Sequence, residues 1–321
     1  IPGSFPVWGR YAPFAFPNWA TKFFCDAMLL LPPLRLERGS GGEVSADRGP
    51  GAEACDRVLT AANRYPDRPA LELHNASYTY RQLIAAAEVV AQSITERNDP
   101  NPFVAIMADK SFACYSGILG ILMAGKAYLP LNPRFPESRN RYMLEKAGAS
   151  SLKDLTPWPP LQMERGNRGQ GVKGERYAYL LFTSGTTGKP KGVPVSHANL
   201  SAYLDFMLSS YSFSPEDRFT QLFDLTFDLS IHDMFLAWSS GACLCVPEDN
   251  SSFAMARFIR EKKPTVWFSV PSTVMLMDRM RILKPGAFPS IHIRYTRRLF
   301  LTIPLTTKRS GDTCLRLFPG T

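Results

Sequence analysis

The residues best suited to chemistry lie in one short loop, residues 183–192, which reads T-S-G-T-T-G-K-P-K-G. Its hydroxyl donors are Thr183, Ser184, Thr186 and Thr187, and its ammonium groups are Lys189 and Lys191. Gly185, Gly188 and Gly192 are expected to let the backbone adopt positive φ and approach a ligand closely. Amides, hydroxyls and lysines that converge in this way form an anion cradle. Because charge-assisted hydrogen bonds contribute about 1.5–3 kcal/mol each, a few of them would hold a triphosphate.

The loop differs from a Walker P-loop, which requires the pattern G-x-x-x-x-G-K-[ST]. Thr183 stands where the first glycine belongs, and Pro190 follows Gly188 and Lys189 where a serine or threonine belongs. Composition alone also leaves open a glycine-rich surface loop that binds nothing.

Strands and helices alternate along the chain around this loop. Residues 177–182 predict a strand that leads into it, and residues 193–196 predict a short extended segment that leaves it, before a helix at about 198–208. Further strands are predicted at 103–107, 127–131, 219–223, 242–246 and 266–270, and further helices at 80–94, 112–125, 136–147, 231–238, 252–262 and 272–280. This alternation predicts an α/β fold whose sheet is largely parallel and covered by helices.

Composition argues against several classes of function. The chain has 321 residues and a net charge of +9, but residues 291–321 carry five of those charges and no nucleic-acid motif is present. The apolar run at 27–31 is too short to span a bilayer. Six cysteines occur without a C-x-x-C pair, so neither a metal site nor disulfides are predicted, and a reducing cytoplasm is expected. Cys243 and Cys245 alternate in a strand and should face the same side.

Three regions have no steady hydrophobic period. They are residues 1–52, 151–175 and 291–321. Because long structureless runs are unusual inside a compact domain, residues 53–290 are predicted to form the domain. Residues 1–52 are interpreted as irregular, disordered or mistranslated, and 291–321 as a basic tail.

The string at 183–192 resembles the signature of the AMP-binding, adenylate-forming superfamily, which contains acyl-CoA synthetases, luciferases and the adenylation domains of nonribosomal peptide synthetases. Residues 66–70, 78–83, 117–131 and 195–200 are similar to other segments of that family, so the resemblance covers about 53–290. It implies a truncated N-terminal domain of the adenylate-forming fold, with layered parallel-rich sheets. The likeness is greatest to an amino-acid adenylation domain or a D-alanine–carrier protein ligase.

A second segment, residues 227–235, reads F-D-L-S-I-H-D-M-F and is similar to the family segment that lines the acceptor pocket. The resemblance implies that Asp228 pairs with the α-ammonium of an amino acid, and that Phe227 and His232 form pocket walls. Two alternatives stay open here. Asp228 could instead cap the helix that begins near Ile231. Asp224, four residues earlier, could also be the residue that corresponds to the family's aspartate.

The resemblance also implies a reaction. A carboxylate attacks the α-phosphate of ATP to give an acyl-adenylate and pyrophosphate, with Mg²⁺ neutralising charge and Lys191 holding the departing phosphates. The aminoacyl-AMP then passes to the phosphopantetheine thiol of a carrier protein. Acyl-CoA-forming relatives usually lack the aspartate, so Asp228 favours an amino acid over an acyl-CoA or aryl-CoA synthetase.

Several family motifs are missing from the chain. No Y-G-P-T-E-like segment is found, so the family's glutamate ligand for Mg²⁺ has no counterpart and no metal-binding residue is predicted. The small C-terminal domain with its catalytic lysine is also absent. The abrupt change at residue 291 suggests a shifted frame, a retained intron or a gene-model error. The chain is therefore expected to be an incomplete or inactive version, and a non-catalytic remnant is the further alternative.

Overall fold

A computed structural model describes residues 53–74, 76–151, 176–183, 190–248, 252–282, 288–291 and 293–296. The predictions made for residues 1–52, for 152–175 and for everything beyond 296 lie outside these ranges. The division into a domain at 53–290 and a tail at 291–321 stays a prediction.

The described helices and strands alternate through most of the chain. The helices are α1 (Glu53–Arg64), α2 (Tyr80–Glu96), α3 (Phe112–Met123), α4 (Glu137–Ala147), α5 (His197–Ser210), α6 (Leu229–Ser239), α7 (Ser252–Lys262) and α8 (Pro271–Arg279). The strands are β1 (Pro69–Leu73), β2 (Ala76–Thr79), β3 (Phe103–Met107), β4 (Ala127–Leu131), β5 (Ser150–Ser151), β6 (Tyr177–Thr183), β7 (Lys191–Ser196), β8 (Arg218–Thr220), β9 (Cys243–Val246), β10 (Val266–Ser269) and β11 (Ile293–Thr296).

These strands form two sheets, and both are mostly parallel. One sheet has the order β5-β3-β4-β6-β7, in which only β7 runs antiparallel to its neighbour. The other has the order β11-β10-β8-β9-β1-β2, in which only β2 is antiparallel. The carboxyl ends of parallel strands meet at one edge of a sheet, where α/β proteins bind ligands.

One apolar core joins the two sheets. It contains Leu71 and Leu244 from one sheet and Ile106, Tyr128 and Tyr179 from the other. Helices α2 and α3 contribute residues to the same core, so the sheets and helices form layers around shared buried surface. The α/β fold with layered, parallel-rich sheets is confirmed.

Local sequence signals account for the helix ends that matter here. Thr79 and Gln82 form a capping box at the start of α2, as their spacing predicts. The Ser111 side chain accepts a hydrogen bond from the Cys114 amide at the start of α3. Gly148 ends α4 in the left-handed conformation, at φ 58°.

The strand predicted at 219–223 is shorter than expected, because β8 ends at Thr220. Residues 221–223 leave the sheet and bury their apolar side chains elsewhere: Leu222 joins a cluster with α7, and Phe223 packs on Phe268. The apolar run therefore reflects burial in a connection rather than strand pairing. Sequence reasoning also missed α1, β1, β2, β5 and β11, and β11 pairs in parallel with β10.

Candidate functional site

The predicted phosphate loop joins the two strands of a hairpin. Strands β6 and β7 pair up to Thr183 and Lys191, and the Thr183 hydroxyl donates to the Lys191 carbonyl at 3.3 Å. The side chain of Lys191 is exposed at the start of β7. The predicted ligands Ser184, Gly185, Thr186, Thr187, Gly188 and Lys189 lie outside the described residues, so their role stays a prediction. The hairpin holds together the two ends of the loop.

Gly192 has an ordinary strand backbone. It lies in β7 and is absent from the glycines with positive φ, which are Gly125, Gly148 and Gly241 among the described residues. The positive φ expected at Gly192 is therefore wrong. A Cβ at this position would lie 3.2 Å from the ends of the Leu180 and Phe182 side chains, so these side chains pack closely over the glycine.

Asp228 precedes the first turn of α6, but its side chain does not cap the helix. The residue has helical dihedral angles, φ −58° and ψ −28°, and makes no side-chain capping hydrogen bond. A capping aspartate usually has an extended backbone and accepts from the second or third amide of the helix. The capping alternative for Asp228 is therefore wrong.

Asp224 is bound into its own turn. One of its carboxylate oxygens accepts from the amide and the hydroxyl of Thr226, at 2.9 and 2.7 Å, and the other accepts from the Asn132 side-chain amide. Since these three donors occupy both oxygens, Asp224 has a structural role. This favours the register in which Asp228 faces the ligand.

Asp228 lies close to the strand that leads into the phosphate loop. Burial raises the pKa of Tyr179 in β6 well above its ordinary value, and the charges of Tyr128 and Asp228 raise it further. Burial, with smaller contributions from Asp233 and Asp228, raises the pKa of Tyr203 in α5. Tyr179 and Thr183 are separated by about 13 Å along β6, at about 3.3 Å per residue. Asp228 thus acts electrostatically on the strand whose last residue, Thr183, precedes the predicted loop.

His232 forms part of an aromatic wall beside α6. Its ring centroid is 4.3 Å from that of Phe268, and Phe268 is 5.0 Å from Phe223. The His232 Nδ1 and the Tyr203 hydroxyl are hydrogen-bonded at 2.5 Å. Burial lowers the pKa of His232 to about 3, so the imidazole is neutral at pH 7. Phe227, the other predicted wall residue, is 55% exposed.

The chain also brings together polar residues that sequence reasoning missed. Lys110 follows β3, Asn132 follows β4, and Asp233 lies in α6, yet all three approach the connection that runs from β8 to α6. One signal could have found Lys110 and Asn132, because each is a polar residue within three residues of the carboxyl end of a parallel strand. Asp233 had no such signal, since it lies in an apolar helix.

Neither a metal-ligating cluster nor a membrane-spanning helix occurs in the described ranges. His, Cys, Asp and Glu side chains form no group of three or more there that could hold a metal ion. The described residues therefore offer no ligand set that fits Mg²⁺. Among the helices of the same ranges, none is long and apolar enough to cross a membrane. Cys243 and Cys245 face one side of β9, as predicted, with their sulfur atoms 4.0 Å apart.

The described residues define an α/β domain with two mostly parallel sheets, in which the hairpin of β6 and β7 flanks the predicted phosphate loop. The family model for AMP-binding enzymes matches residues 58–165 and 154–297. The chain therefore belongs to the AMP-binding enzyme family, as the loop signature predicts.

The relatives of the chain include peptide synthetases. It is 31% identical over 234 residues to tyrocidine synthase 3 of Brevibacillus parabrevis, a match that covers 65% of this chain and 4% of the relative. It is 28% identical over 310 residues to the nonribosomal peptide synthetase ivoA of Emericella nidulans, which covers 88% of this chain and 18% of the relative.

Solved structures show the same fold. The chain aligns with the Vibrio cholerae adenylation domain AlmE, solved in complex with glycyl-adenosine-5'-phosphate, with a TM-score of 0.66, 26% identity, and coverage of 79% of this chain and 56% of that one. It aligns with IdnL7 with a TM-score of 0.65 and 30% identity, covering 76% of this chain and 55% of that one. The chain thus spans little more than half of these structures and under a fifth of the two synthetases it matches.

Proposed function

We propose that this chain binds ATP and an amino acid and supports activation of the amino-acid carboxylate as an aminoacyl-AMP. The observation that carries the proposal is the position of Asp228. Asp228 directly precedes α6, and its carboxylate makes no capping hydrogen bond. The carboxylate acts electrostatically on Tyr179 in β6, the strand that leads into the predicted phosphate loop. The AlmE adenylation domain, solved with glycyl-adenosine-5'-phosphate, supports the same assignment by its fold and its bound molecule.

The proposed reaction uses both parts of the site, Asp228 and the phosphate loop. The amino-acid carboxylate oxygen attacks the α-phosphorus of ATP, a P–O bond forms, and the bond to the pyrophosphate breaks. Asp228 pairs with the α-ammonium and so orients the carboxylate, which lowers the entropic cost of bringing two anions together. Lys191 and the residues 183–189 bind the β- and γ-phosphates and stabilise the negative charge that develops on the departing pyrophosphate.

The proposed partners follow from this product. An aminoacyl-AMP is a mixed anhydride that a thiolate attacks readily, so a carrier protein bearing phosphopantetheine is the proposed acceptor. The similarity to tyrocidine synthase 3 and to the nonribosomal peptide synthetase ivoA supports this step. An acyl-CoA or aryl-CoA synthetase would not require an anionic partner for an ammonium group, and Asp228 therefore favours the amino acid.

The test is amino-acid-dependent exchange of labelled pyrophosphate into ATP, together with calorimetric titration of ATP and of each proteinogenic amino acid. We expect ATP to bind and one amino acid or a small group to bind with it. Asp228→Ala should abolish amino-acid binding and leave ATP binding within about twofold, because removing one member of a buried ion pair costs about 3–5 kcal/mol. Glu88→Gln, which changes an exposed carboxylate on α2, is the matched control.

The proposal fails if ATP does not bind, or if Asp228→Ala leaves amino-acid binding unchanged. Binding of a fatty or aromatic acid that lacks an amino group, unaffected by Asp228→Ala, would favour the acyl-CoA synthetase class instead. Binding without pyrophosphate exchange would show that the site recognises its ligands but does not turn them over in this chain.

A further inference from the structure

Lys110 reaches from one sheet to the other. It follows β3 and adopts a left-handed backbone at φ 59°, which turns the chain into α3. Its ammonium donates to the carbonyls of Gln221 and Leu222, at 3.2 and 3.4 Å. Those two carbonyls come directly after the end of β8, at the point where the connection begins to leave the sheet. Lys110 therefore provides a hydrogen-bond donor to the first two carbonyls of this connection.

Two acidic side chains, Asp224 and Asp233, interact electrostatically with this ammonium. Burial lowers the pKa of Lys110 to about 8, the charges of Asp224 and Asp233 raise it, and Arg134 lowers it. Asp233 is fully buried, and neither of its carboxylate oxygens has a hydrogen-bond partner among the described residues. Burial raises the pKa of Asp233 well above its ordinary value, and the charge of Lys110 lowers it. Lys110 therefore interacts with α6 through Asp233 as well as with the β8–α6 connection through hydrogen bonds.

The connection itself, residues 221–228, is attached to other elements at its start and in its middle. The amide of Gln221 donates to the Cys245 carbonyl at 2.9 Å, and the side chain of Asn132 holds Asp224. Within the turn, the amide of Phe227 donates to the Asp224 carbonyl at 3.0 Å. The segment ends at Asp228. Lys110 is thus a cationic contact between β3 and the backbone that presents Asp228.

We propose that Lys110 is a positioning residue for the amino-acid site, which holds residues 221–228 in the conformation that directs Asp228 to the substrate ammonium. This inference rests on the proposed function for the role of Asp228, but the positioning of the segment can be measured without any substrate. Lys110 touches carbonyls of the protein rather than the reacting atoms, so it acts through Asp228.

The experiment is native-state amide hydrogen exchange on the full chain, comparing Lys110→Met with Lys110→Arg. In Lys110→Met we expect the amides of Thr226 and Phe227 to exchange at least tenfold faster than in the wild type. The amides of α2, which lies outside the connection, should exchange at the wild-type rate. Lys110→Arg keeps the charge and the donors, and it should restore protection to within about threefold of the wild type.

Other outcomes would overturn the inference. The first is that the amides of Thr226 and Phe227 exchange at the wild-type rate in Lys110→Met. The second is that the amides of α2 exchange faster by the same factor as those of Thr226 and Phe227, which would mean that Lys110 stabilises the fold as a whole. If Lys110→Met is not recovered folded, Lys110→Gln is measured in the same way, with the same expected pattern and the same contrary outcomes.

A second measurement separates this inference from the proposed function. When amino-acid binding is detected, Lys110→Met should weaken it at least tenfold and change ATP binding by less than twofold. Loss of protection in the connection with unchanged amino-acid affinity would overturn the positioning role. If no amino acid binds the wild type but Thr226 and Phe227 lose protection as expected, the proposed function fails while the attachment of the segment by Lys110 stands.

Discussion

The hydroxyl of Tyr203 and the Nδ1 of His232 lie 2.5 Å apart, which joins α5 to α6 by a hydrogen bond between a partly buried tyrosine and a buried histidine. The imidazole also packs on Phe268 of β10. One neutral histidine therefore contacts two other elements that surround the proposed amino-acid site. Its protonation would place a charge in this aromatic environment.

Protonation of His232 should make the protein sensitive to acid. The pKa of His232 is about 3 in the folded protein and about 6.5 when exposed, so the unfolded state binds more protons between these values. The free energy of unfolding should therefore fall as the pH decreases from 6.5 to 3, by up to about 5 kcal/mol. Urea unfolding between pH 3 and 7 measures this loss.

His232→Phe should flatten that part of the profile, because the ring stays and the titrating group is removed. His74, an exposed histidine in the turn between β1 and β2, provides the control. His74→Gln should leave the fall in the free energy of unfolding between pH 6.5 and 3 as it is in the wild type. A profile in which His232→Phe and the wild type run parallel from pH 6.5 to 3 would contradict the prediction.

Lys110 should have the corresponding effect in alkali. Its pKa is about 8 in the folded protein against an ordinary value of 10.5, so the unfolded state binds more protons between pH 8 and 10.5. The free energy of unfolding of the wild type should therefore rise relative to that of Lys110→Met across this interval, by up to about 3 kcal/mol. Lys146→Met, at an exposed position in α4, should show no such difference from the wild type. If the difference in free energy of unfolding between wild type and Lys110→Met stays constant from pH 8 to 10.5, the prediction for Lys110 is wrong.

The ion pair between Glu72 and Arg218 links β1 to β8 at 2.7 Å, and Lys262 lies 3.5 Å from the same carboxylate oxygen. Burial raises the pKa of Glu72, but the hydrogen bond and charge of Arg218 outweigh burial and lower it overall. Arg218→Met should lower the free energy of unfolding at pH 7 by about 1.5–3 kcal/mol.

The stabilisation by this pair should be complete above the ordinary glutamate pKa of 4.5 and lost as the pH falls through the lower folded value. The difference between wild type and Arg218→Met should accordingly shrink below pH 4.5. Arg141→Met removes the exposed pair with Glu137, also at 2.7 Å, and should cost about 0.5 kcal/mol or less. Equal losses in the two variants would be inconsistent with this account.

Gly120 lets α3 approach α2 closely. A Cβ at this position would lie 2.5 Å from the Val90 Cβ and 2.6 Å from the Ala87 carbonyl oxygen, and the backbone atom cannot move aside. Gly120→Ala should therefore destabilise the protein by about 1–3 kcal/mol despite the better helix propensity of alanine. In Gly117→Ala the new methyl meets only the end of the Ile106 side chain, which can rotate, so its cost should be smaller. Thermal unfolding ranks the two, and the reverse order would refute the packing argument.

Much of the fold could be predicted because the signals are local. The spacing of Thr79 and Gln82 specifies a helix start through hydrogen bonds within one turn, and Gly148 specifies a helix end through its own backbone. Alternation of strands and helices similarly indicates parallel sheets. The short length of strand β8 could not be predicted, because Leu222 and Phe223 are apolar for reasons of tertiary packing.

Some features of the candidate site could likewise be predicted from local sequence signals, and others could not. The string at 183–192 and the F-D-x-S segment pointed to the family and to Asp228 from residue types alone, and the family is confirmed. Sequence could not decide between Asp224 and Asp228, since both are aspartates near the start of one helix. The structure binds Asp224 to Thr226 and Asn132 and leaves Asp228 uninvolved in capping.

The sequence by itself determined the α/β class and the family, and it predicts the loop chemistry, because these depend on residue types at short spacing. Only the tertiary structure decided that Lys110 contacts the β8–α6 connection, that His232 is buried and neutral, and that Gly192 lacks the expected positive φ. Lys110 and Gln221 are far apart in the chain, and a contact between them depends on how two sheets are layered. Burial and its effect on pKa likewise depend on which elements cover a side chain.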